Sequence, residues 1–383
     1  MRDFERYVEP KITDLLFSKA ARKKVPLSGT FELSPLCNFS CRMCYIRKTA
    51  EEVRNQERRL VPAGKWLEIA EDAGREGMLY LLLTGGEPFL YPDFWDLYEA
   101  LNRMGFVISI NTNGSMIDET AVERLRERPP MKINLTLYGA GDSTYEVLCG
   151  VKGVFSRVDR AITMLREAGI AVKLNGALTP DNICDLRECV RYAQERGLIY
   201  EVNTYMFPPV RRDPSMAGVN RRFTPGEAAR YNLESYRLLS GEELYWKRLE
   251  AIENGSIPPP GLDENCIDPV DGKVRCRAGK ASFWITWDGW MTPCGMMPEP
   301  KVDVMQGNFA EQWGKLAEMS EKIHISGICS SCQNQPLCHS CAAMAMAETG
   351  TTEKIPVYLC EMVNEMKKYA KSELKQQKRR TNK

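Results

Sequence analysis

The sequence predicts an α/β fold: a parallel sheet with helical crossovers, bent into a partial (β/α)6 barrel and followed by a cysteine-rich C-terminal region. Three observations predict it. Between residues 31 and 205, short β-rich runs alternate with amphipathic helical stretches. Several of the runs are almost continuously apolar, as parallel strands covered on both faces are. Eight of the 14 cysteines fall between residues 266 and 360, in a stretch too poor in periodicity to hold together without staples or metals.

Taken in order, residues 1–30 read as an N-terminal extension whose opening, MRDFERYVEPK, is too charged for the apolar stretch of a signal peptide. Strands are expected at 31–33, 80–83, 107–110, 133–137, 172–178 and 200–205. Helices are expected between them at 64–75, 92–104, 155–168 and 181–196, where apolar residues recur near a 3.6 spacing. Alternation of this kind implies right-handed crossovers, and six units over residues 31–255 suit a barrel left partly open. A loop follows at 207–212, then a helical stretch at 224–249 with Thr224 as cap and Pro225 in the first turn. Residues 256–265, opening Ser256-Ile257-Pro258-Pro259-Pro260-Gly261, read as a stiff linker. Residues 266–365 form the cysteine-rich domain, and 366–383 a basic tail, read as a solvated helix with a frayed end.

The chain has 383 residues, 43% of them apolar, enough for one large domain and a smaller one. A net charge of +1 gives no global pull toward nucleic acid or a membrane surface. No segment reaches the roughly 20 apolar residues of a membrane span. A cytoplasmic location is therefore expected, where disulfides are disfavoured and clustered cysteines point to metal or redox chemistry. Cys149, Cys184 and Cys189 follow no ligand spacing and read as packed thiols.

Cys37, Cys41 and Cys44 lie within eight residues. Three soft sulfur donors can hold three corners of a cubane iron–sulfur cluster, leaving one iron open to an outside ligand. The same trio with a distant fourth ligand can also hold zinc. The C-x3-C-x2-C spacing followed by Tyr45 resembles the signature of the radical S-adenosylmethionine (radical SAM) superfamily. Three further motifs sit at carboxyl ends of expected strands, the face where barrels gather their ligands. Gly85-Gly86-Glu87-Pro88 resembles the turn that receives the methionine ammonium group, with two permissive glycines and the Glu87 carboxylate. Thr112 and Asn113 match the third-strand motif beside the ribose, and Thr136 matches a hydroxyl presented to SAM on the fourth. Asn175 on the fifth strand is a further candidate. The resemblance implies a TIM-like partial barrel that binds SAM and one [4Fe-4S] cluster. It also implies reductive cleavage to a 5′-deoxyadenosyl radical that takes hydrogen from an unactivated C–H bond.

Downstream, Gly289 precedes Cys294 by five positions, and Cys329, Cys332, Cys338 and Cys341 follow C-x2-C-x5-C-x2-C. This resembles the SPASM extension of radical SAM enzymes, although its usual last gap is C-x3-C and the gap from Cys276 to Cys294 is slightly long. The resemblance implies two auxiliary [4Fe-4S] clusters, on Cys266, Cys276, Cys294 and Cys341 and on Cys329, Cys332, Cys338 and Cys360. Sulfatase-maturing relatives carry a base Asp directly after the cysteine of the G-x4-C turn. Gly295 stands there, so formylglycine formation is not expected. Asp288, Glu299, Asp303 and Tyr205 are the candidate catalytic groups. The leading expectation is oxidative modification of a peptide or protein side chain, as a thioether, a carbon–carbon crosslink or an oxidised residue. A flavodoxin- or ferredoxin-type protein would supply the electrons. The alternative is a dehydrogenase or epimerase of a small molecule such as a cyclitol or sugar, and a metal-stabilised interaction protein is a third reading. Arg211 and Arg212 suit a carboxylate, a phosphate or an acidic leader peptide in either enzyme reading, and the first 30 residues are too short for a winged-helix leader-binding domain.

Overall fold

The structure, a computed structural model, describes residues 12–256 and 276–381. Its strands are β1 (Ser28–Glu32), β2 (Tyr80–Thr84), β3 (Val107–Thr112), β4 (Lys132–Thr136), β5 (Val172–Ala177), β6 (Ile199–Asn203), β7 (Ser282–Ile285), β8 (Trp290–Thr292) and β9 (Val302–Asp303). They form one nine-stranded sheet in the order β6-β5-β4-β3-β2-β1-β7-β8-β9. β1 to β6 pair in parallel, each joined to the next by a helical crossover, as the alternation in the sequence requires.

Each crossover helix buries one stripe. In Ala63–Arg75, Trp66, Ile69, Ala70 and Ala73 are buried, and the Trp66 ring stacks on Phe31 of β1 at 4.6 Å. In Leu186–Glu195 the buried set is Leu186, Cys189, Val190, Tyr192 and Ala193, again at helical spacing. Outward-facing strand residues such as Leu81, Leu83, Ile133, Leu135 and Leu174 meet these stripes in one continuous core.

Three expectations about domain layout are corrected. Residues 12–30 are part of the body: the helix Ile12–Lys23 buries Ala20 and Ala21 against Leu27 and Ala281, and β1 starts at Ser28. The cysteine-rich region does not stand apart from the barrel. β7 pairs in parallel with β1, Ser28 opposite Ser282, so that β7, β8 and β9 extend the same sheet. The Phe283 ring then packs on Phe309 and Trp313 of the helix Phe309–Glu321. The tail is no frayed appendage either. The helix Val357–Thr381 buries Leu359, Met362, Val363, Met366, Ala370 and Leu374 and packs along the helix Pro225–Ser240. Of the expected linker, all but Ser256 lies outside the described residues, as does Cys266. No helix among the described residues is long and apolar enough to cross a membrane.

Candidate functional site

The loop after β1 carries Cys37, Cys41 and Cys44 to the carboxyl end of the sheet. Two backbone bonds hold it against the end of the helix Asp142–Cys149: Ser40 N–H to Cys149 O at 2.7 Å and Arg42 N–H to Leu148 O at 3.1 Å. Phe39 anchors the loop by edge contacts with the rings of Tyr138 and Tyr145, both at 6.1 Å. Cys149 is buried, as a packed thiol is, and its side chain lies beside Cys41, with Tyr138 on the same sulfur. Burial pushes the Cys37 thiol up to about 12 and raises Cys44 as well.

The three cysteines line one wall of a cavity of about 410 Å3. Tyr45, Gly85, Gly86, Thr112, Asn113, Thr136 and Asn175 line it too, so most of the expected SAM-contacting positions meet in one place. Thr136, Asn175 and Asn203 make no side-chain hydrogen bond to the protein among the described residues, which leaves their polar atoms for a ligand. No three cysteine, histidine or carboxylate side chains among the described residues converge on a point as tetrahedral zinc ligands do. Three thiols spread along a cavity wall are a donor set that fits a larger iron–sulfur cluster.

Glu87 and Pro88 depart from expectation: both are buried and neither lines the cavity. The Glu87 carboxylate accepts from Thr112 Oγ1 at 2.8 Å, from the Asn113 N–H at 2.9 Å and from the Phe89 N–H at 3.3 Å. It clamps the end of β2 to the end of β3. Burial raises this carboxyl to about 7, against the three hydrogen bonds that lower it. The glycines also serve the chain itself. A Cβ on Gly86 would stand 2.3 Å from Leu36 O, where the turn closes on the cysteine loop through Gly86 N–H to Ser34 O at 2.7 Å. Gly86→Ala should therefore cost about 1–3 kcal/mol in urea denaturation of the apoprotein. A midpoint equal to that of the unmodified protein would contradict this packing.

A chain of amides ties the cysteine loop to β3. Asn113 Nδ2 donates to Asn38 Oδ1 at 2.9 Å, and Asn38 Nδ2 donates to Ser115 Oγ at 2.8 Å. On the far side lies a buried ion pair that no spacing announced. Arg211 donates to both oxygens of Glu32 at 3.0 Å and to Gly295 O at 2.7 Å, while Trp284 Nε1 donates to Glu32 at 2.9 Å. Arg211 is thus committed within the protein and is not the anion site expected of it. Arg212 is exposed beside Cys44 O.

Of the catalytic candidates, only Tyr205 lines the cavity. Its hydroxyl donates to Glu348 Oε1 at 2.6 Å, and Glu348 is paired with Arg222, which lies over the Tyr358 ring at 3.8 Å. Burial and the neighbouring carboxylate hold the phenol far above its ordinary pKa, so Tyr205 keeps its proton and is no base. The three carboxylates are corrected. Asp303 is gripped by both terminal nitrogens of Arg58, Asp288 accepts from Thr286 Oγ1 at 2.6 Å, and exposed Glu299 pairs with Lys301. None lines the cavity. The carboxylate that does is Glu201 on β6, ion-paired with Lys173. Strand alternation points to Glu201: Glu201 and Asn203 share one face of β6 and both line the cavity, while Tyr200 is buried.

The C-terminal cysteines fall in two neighbourhoods. Cys276 lies close enough to Cys294 and Cys341 to help burial raise both thiols, and Cys294 adds to the rise at Cys341. In a second group, Cys332 and Cys338 lie close enough to Cys329 and Cys360 to add to the rise that burial gives those two thiols. Met296, two residues after Cys294, reaches this same cavity, as do Met206 and Phe207.

Residues 31–193 match the radical SAM superfamily. The chain is similar to the AdoMet-dependent heme synthase of Methanosarcina barkeri, with 23% identity over 86% of this chain and 95% of that protein. It is also similar to the PqqA peptide cyclase of Granulibacter bethesdensis, with 26% identity over 63% of this chain and 67% of that one. In fold it resembles Streptococcus suis SuiB bound to its precursor peptide SuiA, with a TM-score of 0.65 and 20% identity over 90% of this chain and 79% of that chain.

Proposed function

We propose that this chain, whose residues 31–193 match the radical SAM superfamily, oxidatively modifies a peptide or protein side chain, forming a thioether, a carbon–carbon crosslink or an oxidised residue. When bound, SAM and the [4Fe-4S] cluster supply a 5′-deoxyadenosyl radical able to take hydrogen from a C–H bond. Cys37, Cys41 and Cys44 would hold that cluster. The free polar groups of Thr136, Asn175 and Asn203 would orient the nucleoside. Phe39, Met43, Met206, Phe207 and Met296 would exclude water around the target carbon. Two auxiliary clusters are proposed on the C-terminal cysteines, Cys266 included, to take the electron that a net oxidation releases.

The observation that carries the reading is the charge of the cavity. Among the described residues, neither Lys nor Arg lines it, and the one charged side chain that does is the acidic Glu201. Such walls suit an apolar or aromatic side chain, and the likeness to a peptide cyclase points the same way. The second reading, a small-molecule oxidation, draws on the longer likeness to heme synthases. A haem-type tetrapyrrole carries carboxylates, however, and its recognition calls for cations that the described residues of this cavity do not offer.

Reconstituted protein with SAM and dithionite, offered deuterated candidate peptides, tetrapyrroles and cyclitols in turn, distinguishes the readings. Deuterium should pass into 5′-deoxyadenosine from a peptide. Transfer from a tetrapyrrole or cyclitol, and from no peptide, would overturn the proposal.

A further inference from the structure

Reductive cleavage of SAM consumes one electron from outside the chain at each event, so the protein needs a place where a donor lands. The helix Val357–Thr381 has two unlike faces. Its buried face was described above. Its exposed face carries Lys368, Lys371, Lys375, Lys378, Arg379 and Arg380. The steps from 368 to 371, 375 and 379 are three or four residues, which puts them in one row. Lys368 is paired with Glu365, but no carboxylate among the described residues pairs with Lys371, Lys375 or Arg379. These last three line a groove of about 480 Å3 with Glu253 on one wall and Leu374 also contributing.

The row starts at the second group of C-terminal cysteines. Cys360 lies in the first turn of this helix, in the electrostatic neighbourhood of Cys332 and Cys338. One step before the row, Lys367 bonds to Asn334, which sits between Cys332 and Cys338. From Lys367 to Arg379 the helix runs about 18 Å, the width of a small protein's contact patch.

We infer that the basic groove along Lys371, Lys375 and Arg379 is the docking surface for an acidic one-electron carrier protein, placed to pass its electron to a cluster that the cysteines beneath the start of the same helix would hold. The inference rests on the radical SAM reading and on those cysteines holding a cluster. Charge complementarity selects the partner class: clustered cations steer an acidic surface into register and raise its on-rate. Nucleic acid is the poorer fit, since the Glu253 wall opposes a phosphate backbone and the chain's net charge is only +1. The electron balance is simple. The carrier is oxidised by one electron, and the electron ends on the sulfonium, whose sulfur–carbon bond breaks.

The test compares the reconstituted enzyme with Lys371→Glu/Lys375→Glu/Arg379→Glu and with the neutral triple variant Lys371→Gln/Lys375→Gln/Arg379→Gln. The probe is a purified acidic flavodoxin kept reduced by its NADPH-dependent reductase. Direct titration at low salt should show binding that weakens at least about tenfold in the charge-reversed variant and by less in the neutral one. Flavodoxin-driven 5′-deoxyadenosine formation should fall in the same order, while dithionite-driven formation stays at the unmodified rate. Unchanged flavodoxin binding would overturn the inference, and so would an equal fall under both reductants. Loss in the variants of binding to duplex DNA or to anionic vesicles, with flavodoxin binding unchanged, would assign the groove to that ligand instead. Should the unmodified enzyme bind flavodoxin but fail to cleave SAM with dithionite, the radical SAM reading fails and the docking surface stands.

Discussion

Replacing Arg211 with Met should destabilise the protein by about 3–5 kcal/mol, because it strands the Glu32 carboxylate in the interior without its cation. Glu32 is fully buried and Arg211 nearly so, and the pair is bidentate. Its two charges are out of water, so the loss is the desolvation of an unpaired ion and exceeds what an exposed salt bridge is worth. Removing both charges tests this cause. Arg211→Met/Glu32→Gln should recover a good part of the loss, since an amide there carries no charge and can still accept from Trp284 Nε1. The measurement is the urea midpoint of the apoproteins, read with the slope of the transition. A single variant within about 1 kcal/mol of the unmodified protein would show that water reaches the pair. The pair has reach beyond stability: β1 leads into the cysteine loop, and Gly295 directly follows Cys294, so Arg211 ties the two cysteine-bearing regions together.

That pair was invisible in the sequence for a physical reason. Glu32 and Arg211 stand 179 positions apart, and neither the strand expected around Glu32 nor the Arg211-Arg212 pair names the other as its partner. Side chains that meet through tertiary packing leave no local signal. The first six strands were legible because burial on both faces imposes a composition on each run: strands expected at 80–83 and 107–110 are found at Tyr80–Thr84 and Val107–Thr112. The turn at Trp287-Asp288-Gly289 was legible too, through its glycine, whose φ is +86°. What that hairpin pairs with was not, because β7 finds β1 across some 250 residues. Charge hid the last helix. Lysines and arginines dominate residues 366–383 by count, while Met366, Ala370 and Leu374 keep a narrow buried stripe that a compositional reading passes over. At the site, residue type and approximate place were readable, but side-chain direction was not. Glu87 lies one position beyond the cavity-lining glycines, yet its carboxylate turns inward to Thr112 and Asn113. Asp303 had the chemistry of a base, and Arg58 had already claimed it.

Cys41→Ala and Cys329→Ala should separate the two halves of the chemistry. Cys41 sits mid-loop with Cys149 and Tyr138 packed on its sulfur, and it is one of three thiols that line the cavity wall among the described residues. Two remaining donors cannot hold a cubane that already leaves one iron to an outside ligand. Formation of 5′-deoxyadenosine should therefore fall to background in Cys41→Ala, with dithionite or any other reductant. Cys329 belongs to the second C-terminal group, near Cys332, Cys338 and Cys360, and is absent from the cavity wall. Its loss should lower bound iron and sulfide while dithionite-driven cleavage of SAM stays near the unmodified rate. The modified peptide should nevertheless disappear, because the substrate radical would have no acceptor for the electron it must release. Iron content, cleavage and product thus move independently, and the pattern identifies the cause. If Cys329→Ala loses iron yet makes full product, the C-terminal cysteines only staple the fold, and the substrate radical hands its electron to a different acceptor.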